Sequence, residues 1–346
     1  MISIQSAHVR SSALPDRLDR PVLPLRSTVP AVPAVPEQQS RRLASADLLQ
    51  LLVHKRRPAE VLLTGWERRG SNTFTVRAHW PVAHTFYEPR CGVFDPLLFA
   101  ETVRQSIPLL SHAAYDVPLG HQLIWEYFTY AVEPAAMRVQ HRPAVVELRI
   151  TCSDIVRRAA RMAAITMDVE AFANGAPIGT ARARFTSNPP AIYKRLRAGY
   201  ADPVAAMAAA GPAALPIPAA VVARERHADV VLSACDEPAR WLLRTDTSHP
   251  ILFDHPVDHV PGMLLLEAAR QSALARVSPA HARAVAFDST FFQYVEFHAP
   301  CSIAAEPTLP DEQGRPRVDV VALQRGTVAF SCIVTLETHD HLPAAA

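Results

Sequence analysis

The chain has 346 residues, enough for two domains of ordinary size that each bury a core. Hydrophobic residues make up 49% of it and the formal net charge is only +2, so a globular protein is expected and bulk attraction to nucleic acid is not. The five cysteines (Cys91, Cys152, Cys235, Cys301, Cys332) are scattered and form no Cys-x-x-Cys pair, which argues against both a zinc site and a disulfide framework.

Residues 1–44 carry Pro15, Pro21, Pro24, Pro30, Pro33 and Pro36. Proline fixes φ and lacks a backbone donor, so an extended leader is expected there. Arg10, Asp16, Arg17 and Asp19 interrupt any apolar run at this end, and no uninterrupted apolar stretch of about 18 residues occurs anywhere. The expectation is a cytoplasmic protein with no membrane partner.

The next segment, 45–197, reads as strands at 61–68, 73–80, 123–131, 145–150, 164–173 and 178–186 around one helix at 96–110. Asp95-Pro96 suits a helix start, the Asp as N-cap and the Pro at the first helical position. Pro108 is expected to kink or end that helix. An Ala/Pro-rich linker follows at 198–220, with a short helix at 203–210. The last segment, 221–338, reads as strands at 229–233, 240–246, 284–297, 317–324 and 327–336 around a helix at 261–277.

The two segments match in order. Val53-His54-Lys55-Arg56-Arg57-Pro58-Ala59-Glu60-Val61 parallels Val222-Ala223-Arg224-Glu225-Arg226-His227-Ala228-Asp229-Val230. Leu98-Phe99-Ala100-Glu101-Thr102-Val103-Arg104-Gln105 parallels Leu264-Leu265-Leu266-Glu267-Ala268-Ala269-Arg270-Gln271. The strand before Asn174-Gly175, a strong hairpin signal, parallels the one before Arg325-Gly326. Three ordered matches argue for duplication. Both helices are too apolar for a surface position and need a sheet wrapped round them. The fold class is therefore α+β, a tandem hotdog with a long helix inside an antiparallel sheet in each repeat.

Glu101, Arg104 and Gln105 share one face of the first helix; Glu267, Arg270 and Gln271 share one face of the second. Such a stripe is either an ion pair with an amide that ties helix to sheet, or a reactive site. A buried Glu is expected to have a raised pKa, which suits acid/base work. Before the second helix comes Asp254-His255-Pro256-Val257-Asp258-His259-Val260-Pro261-Gly262-Met263. The prolines keep His255 and His259 off a common helical face, so no metal site is expected. The alternatives are a capping loop, or a His facing Glu267 across a cleft. The free N–H groups at Gly262 and Met263 suit a thioester oxyanion. The first repeat has Glu88-Pro89-Arg90-Cys91-Gly92 at this place, and no His is placed to activate Cys91.

The run from His255 to Gln271, with Val53-His54-Lys55 and Glu60-Val61-Leu62-Leu63, resembles the A-factor biosynthesis (AfsA-type) hotdog family. The Pro-Gly-x-Leu-x-x-Glu-Ala start is also similar, more distantly, to β-hydroxyacyl carrier-protein dehydratases, with a shorter spacing from the upstream His. The family resemblance implies a synthase for γ-butyrolactone-type signals. It would transfer a β-ketoacyl thioester from acyl carrier protein to dihydroxyacetone phosphate, and an intramolecular condensation would follow. It implies Glu101, Arg104, Glu267 and Arg270 as family site residues; from the loop itself, His255 is the expected catalytic partner. Gln105, Gln271, Gly262, Met263, Asp258 and His259 would contact substrate. No bound cofactor is implied beyond the phosphopantetheine arm of the carrier protein, which would enter between the repeats. Glu267 is the expected base, Arg104 or Arg270 the phosphate ligand, and Lys55, Arg56 and Arg57 a landing place for the acidic carrier. A thioesterase, a dehydratase or a non-catalytic ligand-binding regulator are the alternatives.

Overall fold

The computed structural model describes residues 46–158, 161–277 and 282–338; the leader expected at 1–44 lies outside them. In chain order the first repeat comprises α1 (Ala46–Leu52), β1 (Leu63–Arg68), β2 (Thr73–Trp80), α2 (Pro96–Tyr115), β3 (Gln122–Val132), β4 (Ala144–Arg158), β5 (Arg161–Ala173) and β6 (Ala176–Asn188). Two short helices follow, α3 (Pro190–Arg197) and α4 (Pro203–Ala208). The second repeat comprises β7 (Leu232–Ala234), β8 (Arg240–Leu243), α5 (Gly262–Val277), β9 (Ala282–Phe291), β10 (Cys301–Thr308), β11 (Arg317–Gln324) and β12 (Thr327–Thr338).

The strands form one antiparallel sheet of 12 strands in the order β1-β2-β4-β5-β6-β3-β9-β12-β11-β10-β8-β7. From the middle outwards the order is the same on both sides, with β3, β6, β5, β4, β2, β1 mirrored by β9, β12, β11, β10, β8, β7. The repeats are joined at β3 and β9, where Tyr127 lies opposite Thr290 and Ala131 opposite Ala286. Tyr130 stacks on Phe287 across that seam, ring centroids 4.9 Å apart.

Each half-sheet covers its own helix. α2 packs against β1, β2, β3 and β5, and α5 against β7, β9, β10, β11 and β12. Leu97, Leu98, Phe99, Ala100 and Val103 of α2, and Leu264, Leu265, Leu266, Ala268 and Ala269 of α5, are buried, which explains why apolar residues run round most of each helix. Asp95 caps α2 as expected, its carboxylate accepting from the Leu97 N–H at 2.8 Å.

Three readings of the sequence are corrected. Pro108 does not end α2, which runs on to Tyr115. The missing N–H weakens the helix locally, but burial of Leu109 and Leu110 by the enclosing sheet outweighs that cost. Strand β10 was not anticipated because, apart from Ile303, it carries Ser302, Ala304, Ala305, Glu306 and Pro307, which signal a strand weakly. Its Pro307 is tolerated because β11 pairs there while β8 reaches only Ala304. The strand expected to reach 297 ends at Phe291. The Asn174-Gly175 turn has φ 49° and 88°, and Arg325-Gly326 has 53° and 75°, as two-residue hairpins require.

Candidate active site

The two helical stripes are tied to their sheets in the same way. The Gln105 side chain accepts from the Leu62 N–H at 3.0 Å and donates to Glu60 O at 2.7 Å and to Glu101 at 2.9 Å. Gln271 accepts from the Val231 N–H at 2.9 Å and donates to Asp229 O at 2.8 Å and to Glu267 at 2.5 Å. Both amides are fully buried with both N–H bonds committed, so neither offers a substrate the contact expected from the sequence. A second matched feature escaped sequence reading. His84 pairs with Glu60 at 3.4 Å and accepts from the N–H groups of Phe86 and Tyr87. His249 likewise pairs with Asp229 at 3.1 Å and accepts from Ile251 and Leu252. The signal was available: each His stands a similar distance before its helix.

Beyond these ties the repeats diverge. Glu267 is completely buried; its Oε1 accepts from Arg224 Nε at 3.0 Å and Arg270 Nη2 at 2.8 Å. Arg270 reaches across to the first repeat, where its Nη1 donates to the Asp95 carboxylate at 2.7 Å. Arg224 crosses the same boundary, donating to Phe86 O at 2.5 Å with its guanidinium 4.2 Å from the Phe86 ring centroid. Asp95 and Glu267 together hold the Arg270 guanidinium well above its ordinary pKa against the opposing effect of burial. This stripe is closed by the N-cap of the other helix. Neither Glu267 nor Arg270 lines the large cavity, so no histidine faces Glu267 across an open cleft.

The other stripe is open. Glu101 and Arg104 line a cavity of about 1320 Å³, together with Lys55, His255, Gly262 and Met263. Here the position matching Asp95 is Pro261, counted back six residues from each glutamate. A proline cannot seal Arg104. Arg104 grips Glu101 through Nε at 2.8 Å and Nη2 at 2.9 Å, and its Nη1 has no partner among the described residues. Lys55 Nζ stands 3.0 Å from Glu101 Oε1. Burial would raise the Glu101 pKa, but Arg104 and Lys55 outweigh it and hold the carboxyl well below the usual range. That overturns the expected raised pKa: with four donors around it, this carboxylate anchors cations and is a poor base. Lys55, with a side chain 6% exposed, is not part of a carrier-protein landing surface.

The loop before α5 forms the facing wall. Asp254 accepts from the backbone N–H groups of Arg56 and Arg57 at 2.5 and 3.1 Å, pinning this loop to the first repeat. His255 lines the cavity with Nδ1 3.6 Å from Asp254, beyond hydrogen-bond reach. Burial and then Arg104 hold its pKa below the ordinary imidazole value. Gly262 opens α5 against Trp125, where a Cβ would lie 3.0 Å from the indole and the ring would have to give way; glycine permits that approach. Asp258 is buried. Its Oδ1 stands 2.7 Å from His259 Nδ1, and its Oδ2 accepts from Tyr193 Oη at 2.7 Å and Arg197 Nε at 3.1 Å. The exposed Cys91 does not line this cavity. Among the described residues no group of three or more His, Cys, Asp or Glu is arranged for a metal, and no helix is long and apolar enough to cross a membrane.

A family model for the A-factor biosynthesis hotdog domain matches residues 37–188 and 205–339. The chain is 43% identical over 283 residues to a 2-oxo-3-(phosphooxy)propyl 3-oxoalkanoate synthase of Streptomyces virginiae, covering 82% of this chain and 95% of that protein. A synthase of the same name from Streptomyces coelicolor is 39% identical, with 81% and 88% covered. Among solved structures, an oleoyl thioesterase (putative) from Lactobacillus plantarum aligns at a TM-score of 0.49 and 10% identity, covering 78% of this chain and 96% of that one.

Two outcomes follow from the contrast between the stripes. Glu267→Gln strands Arg224 and Arg270 in the interior and is expected to cost about 3–5 kcal/mol of stability, read from urea unfolding; an unchanged midpoint would contradict the closed-stripe reading. Burial would raise the Asp258 pKa, but the His259, Tyr193 and Arg197 bonds lower it from 3.8 to about 2. A depressed carboxyl stabilises the fold fully above its unfolded pKa, so the Asp258 contribution is expected to fade as pH falls from 3.8 to about 2. Asp258→Asn should flatten that part of the stability–pH curve; a curve of unchanged shape would sink the assignment.

Proposed function

The chain belongs to the A-factor biosynthesis hotdog family, and from that premise we propose that it is a synthase joining a β-ketoacyl group to a hydroxyl of dihydroxyacetone phosphate. The proposal uses the product named for the relatives, the 2-oxo-3-(phosphooxy)propyl ester of a 3-oxoalkanoate. Such an ester needs an activated 3-oxoacyl donor and a phosphorylated hydroxyketone acceptor.

One observation carries the reading: Arg104, anchored on Glu101 beside Lys55, presents an uncommitted guanidinium edge to a large cavity. A planar N–H edge matches phosphate geometry, and the buried carboxylate fixes its direction. The acyl thioester would lie along the wall formed by Gly262 and Met263. Their N–H groups have no acceptor among the described residues and would donate to the oxygen that gains charge on attack. Arg56 and Lys194 are exposed residues of the same cavity lining and suit an acidic acyl carrier protein delivering its phosphopantetheine arm.

After transfer, the methylene between the two carbonyls of the β-ketoacyl ester is acidic and lies within the same molecule as the ketone of the acceptor. Its attack on that ketone, with loss of water, closes a butenolide phosphate. The condensation is part of the proposal.

Incubation with a β-ketoacyl carrier protein and dihydroxyacetone phosphate, followed by mass spectrometry, tests it. A phosphorylated ester or butenolide is expected. Release of the free β-keto acid with no phosphorylated adduct would replace the synthase by a thioesterase.

A further inference from the structure

We propose that His259, oriented by Asp258, accepts the proton of the attacking hydroxyl during acyl transfer; this rests on the synthase reading above. Attack by an alcohol on a thioester needs a lone pair beside the hydroxyl. Glu101 does not offer one, since Lys55, Arg104 and Gln105 surround its carboxylate. His54 commits its Nε2 to His112 at 2.8 Å, and burial, followed by His112 and Arg104, lowers its pKa to about 4. His255 stands 3.6 Å from Asp254, whose oxygens are turned to backbone N–H groups of the first repeat, so among the described residues it has no partner at hydrogen-bond distance.

His259 differs on each count. A carboxylate only accepts, so the 2.7 Å contact with Asp258 places the proton on Nδ1 and leaves a lone pair on Nε2. Nε2 has no partner among the described residues, and the side chain, 25% exposed, lines the cavity. Asp258 is itself held from helix α3 by Tyr193 and Arg197, and Arg197 is anchored on Glu296 at 2.5 and 2.9 Å. The imidazole packs edge-on to Tyr294, ring centroids 4.8 Å apart, and the Arg197 guanidinium lies over that same tyrosine at 4.1 Å. The pair exists only where the cavity is open. Counting from the helix starts, the first repeat has Gly92 and Val93 at these positions.

In the step assigned to it, the hydroxyl proton moves to His259 Nε2 as the oxygen bonds to the thioester carbonyl carbon. The C–S bond then breaks, the sulfur takes the proton back from Nε2, and the products are an ester and a free thiol. Asp258 is a positioning residue, holding the ring and the neutral tautomer.

The test compares the full chain with His259→Asn, whose amide keeps a donor to Asp258 but has no Nε2, and with His259→Ala. The donor is a β-ketoacyl N-acetylcysteamine thioester, the acceptor dihydroxyacetone phosphate, and the readout is the phosphorylated ester. His259→Asn is expected to lose about 100-fold or more in kcat with both KM values little changed. His259→Ala is expected to regain turnover on addition of imidazole. A kcat near wild type in His259→Asn, or loss confined to KM, overturns the assignment, as does a His259→Ala enzyme that folds by circular dichroism but is not rescued. If the wild type forms no ester from either donor, the synthase reading falls and takes the base with it. If the wild type forms ester and His259→Asn matches it, only the base falls.

Discussion

An arginine that grips a buried glutamate has one edge of its guanidinium still to satisfy, and what meets that edge separates the two halves of this protein. In the second repeat it is Asp95, the N-cap of the other helix, 2.7 Å from Arg270. For the first repeat the matching position is Pro261, and Arg104 Nη1 has no partner among the described residues. Two copies of one motif are thereby divided into a structural half and a receptive half. The cost of burying charge is met in the first by a second carboxylate. In the second that edge is left open to the cavity.

The fold makes this division available. Joining the repeats edge to edge through β3 and β9 sets each central helix against the loop that opens the other. Duplication supplies two such places, and divergence in one loop is enough to close one and equip the other. The closed place is sealed by Arg224, Arg270 and the Phe86 carbonyl. The open one gains Asp254, which pins the loop, and Asp258, which orients a histidine. Helix α3, outside both repeats, contributes Tyr193 and Arg197 to that histidine's support, so the connection between the repeats belongs to the site.

Much of this was legible in the residues. The repeated Glu-x-x-Arg-Gln stripe, the Asp95 cap and the Asn174-Gly175 hairpin are local patterns governed by helical and turn geometry. Which stripe would be open was not legible. The sequence asymmetry around Pro261-Gly262 was visible and pointed to the second helix, but the loop it marks faces Glu101 of the first. That exchange depends on a contact between Asp95 and Arg270, 175 positions apart, which no local pattern encodes. The raised carboxyl expected from burial alone failed at Glu101 because Lys55 arrives from a distant turn. Pro108 failed as a helix terminator because the surrounding sheet, not local propensity, sustains α2. The His84 and His249 ties were not legible, since their partners Glu60 and Asp229 lie two strands earlier in the chain.

The most direct measurement is the binding stoichiometry of an unreactive phosphorylated acceptor analogue, glycerol 3-phosphate, titrated calorimetrically into the wild-type chain and into Arg104→Met. The account predicts a single equivalent bound per chain, lost in Arg104→Met while the variant stays folded. Two equivalents per chain, or undiminished binding by Arg104→Met, would contradict it.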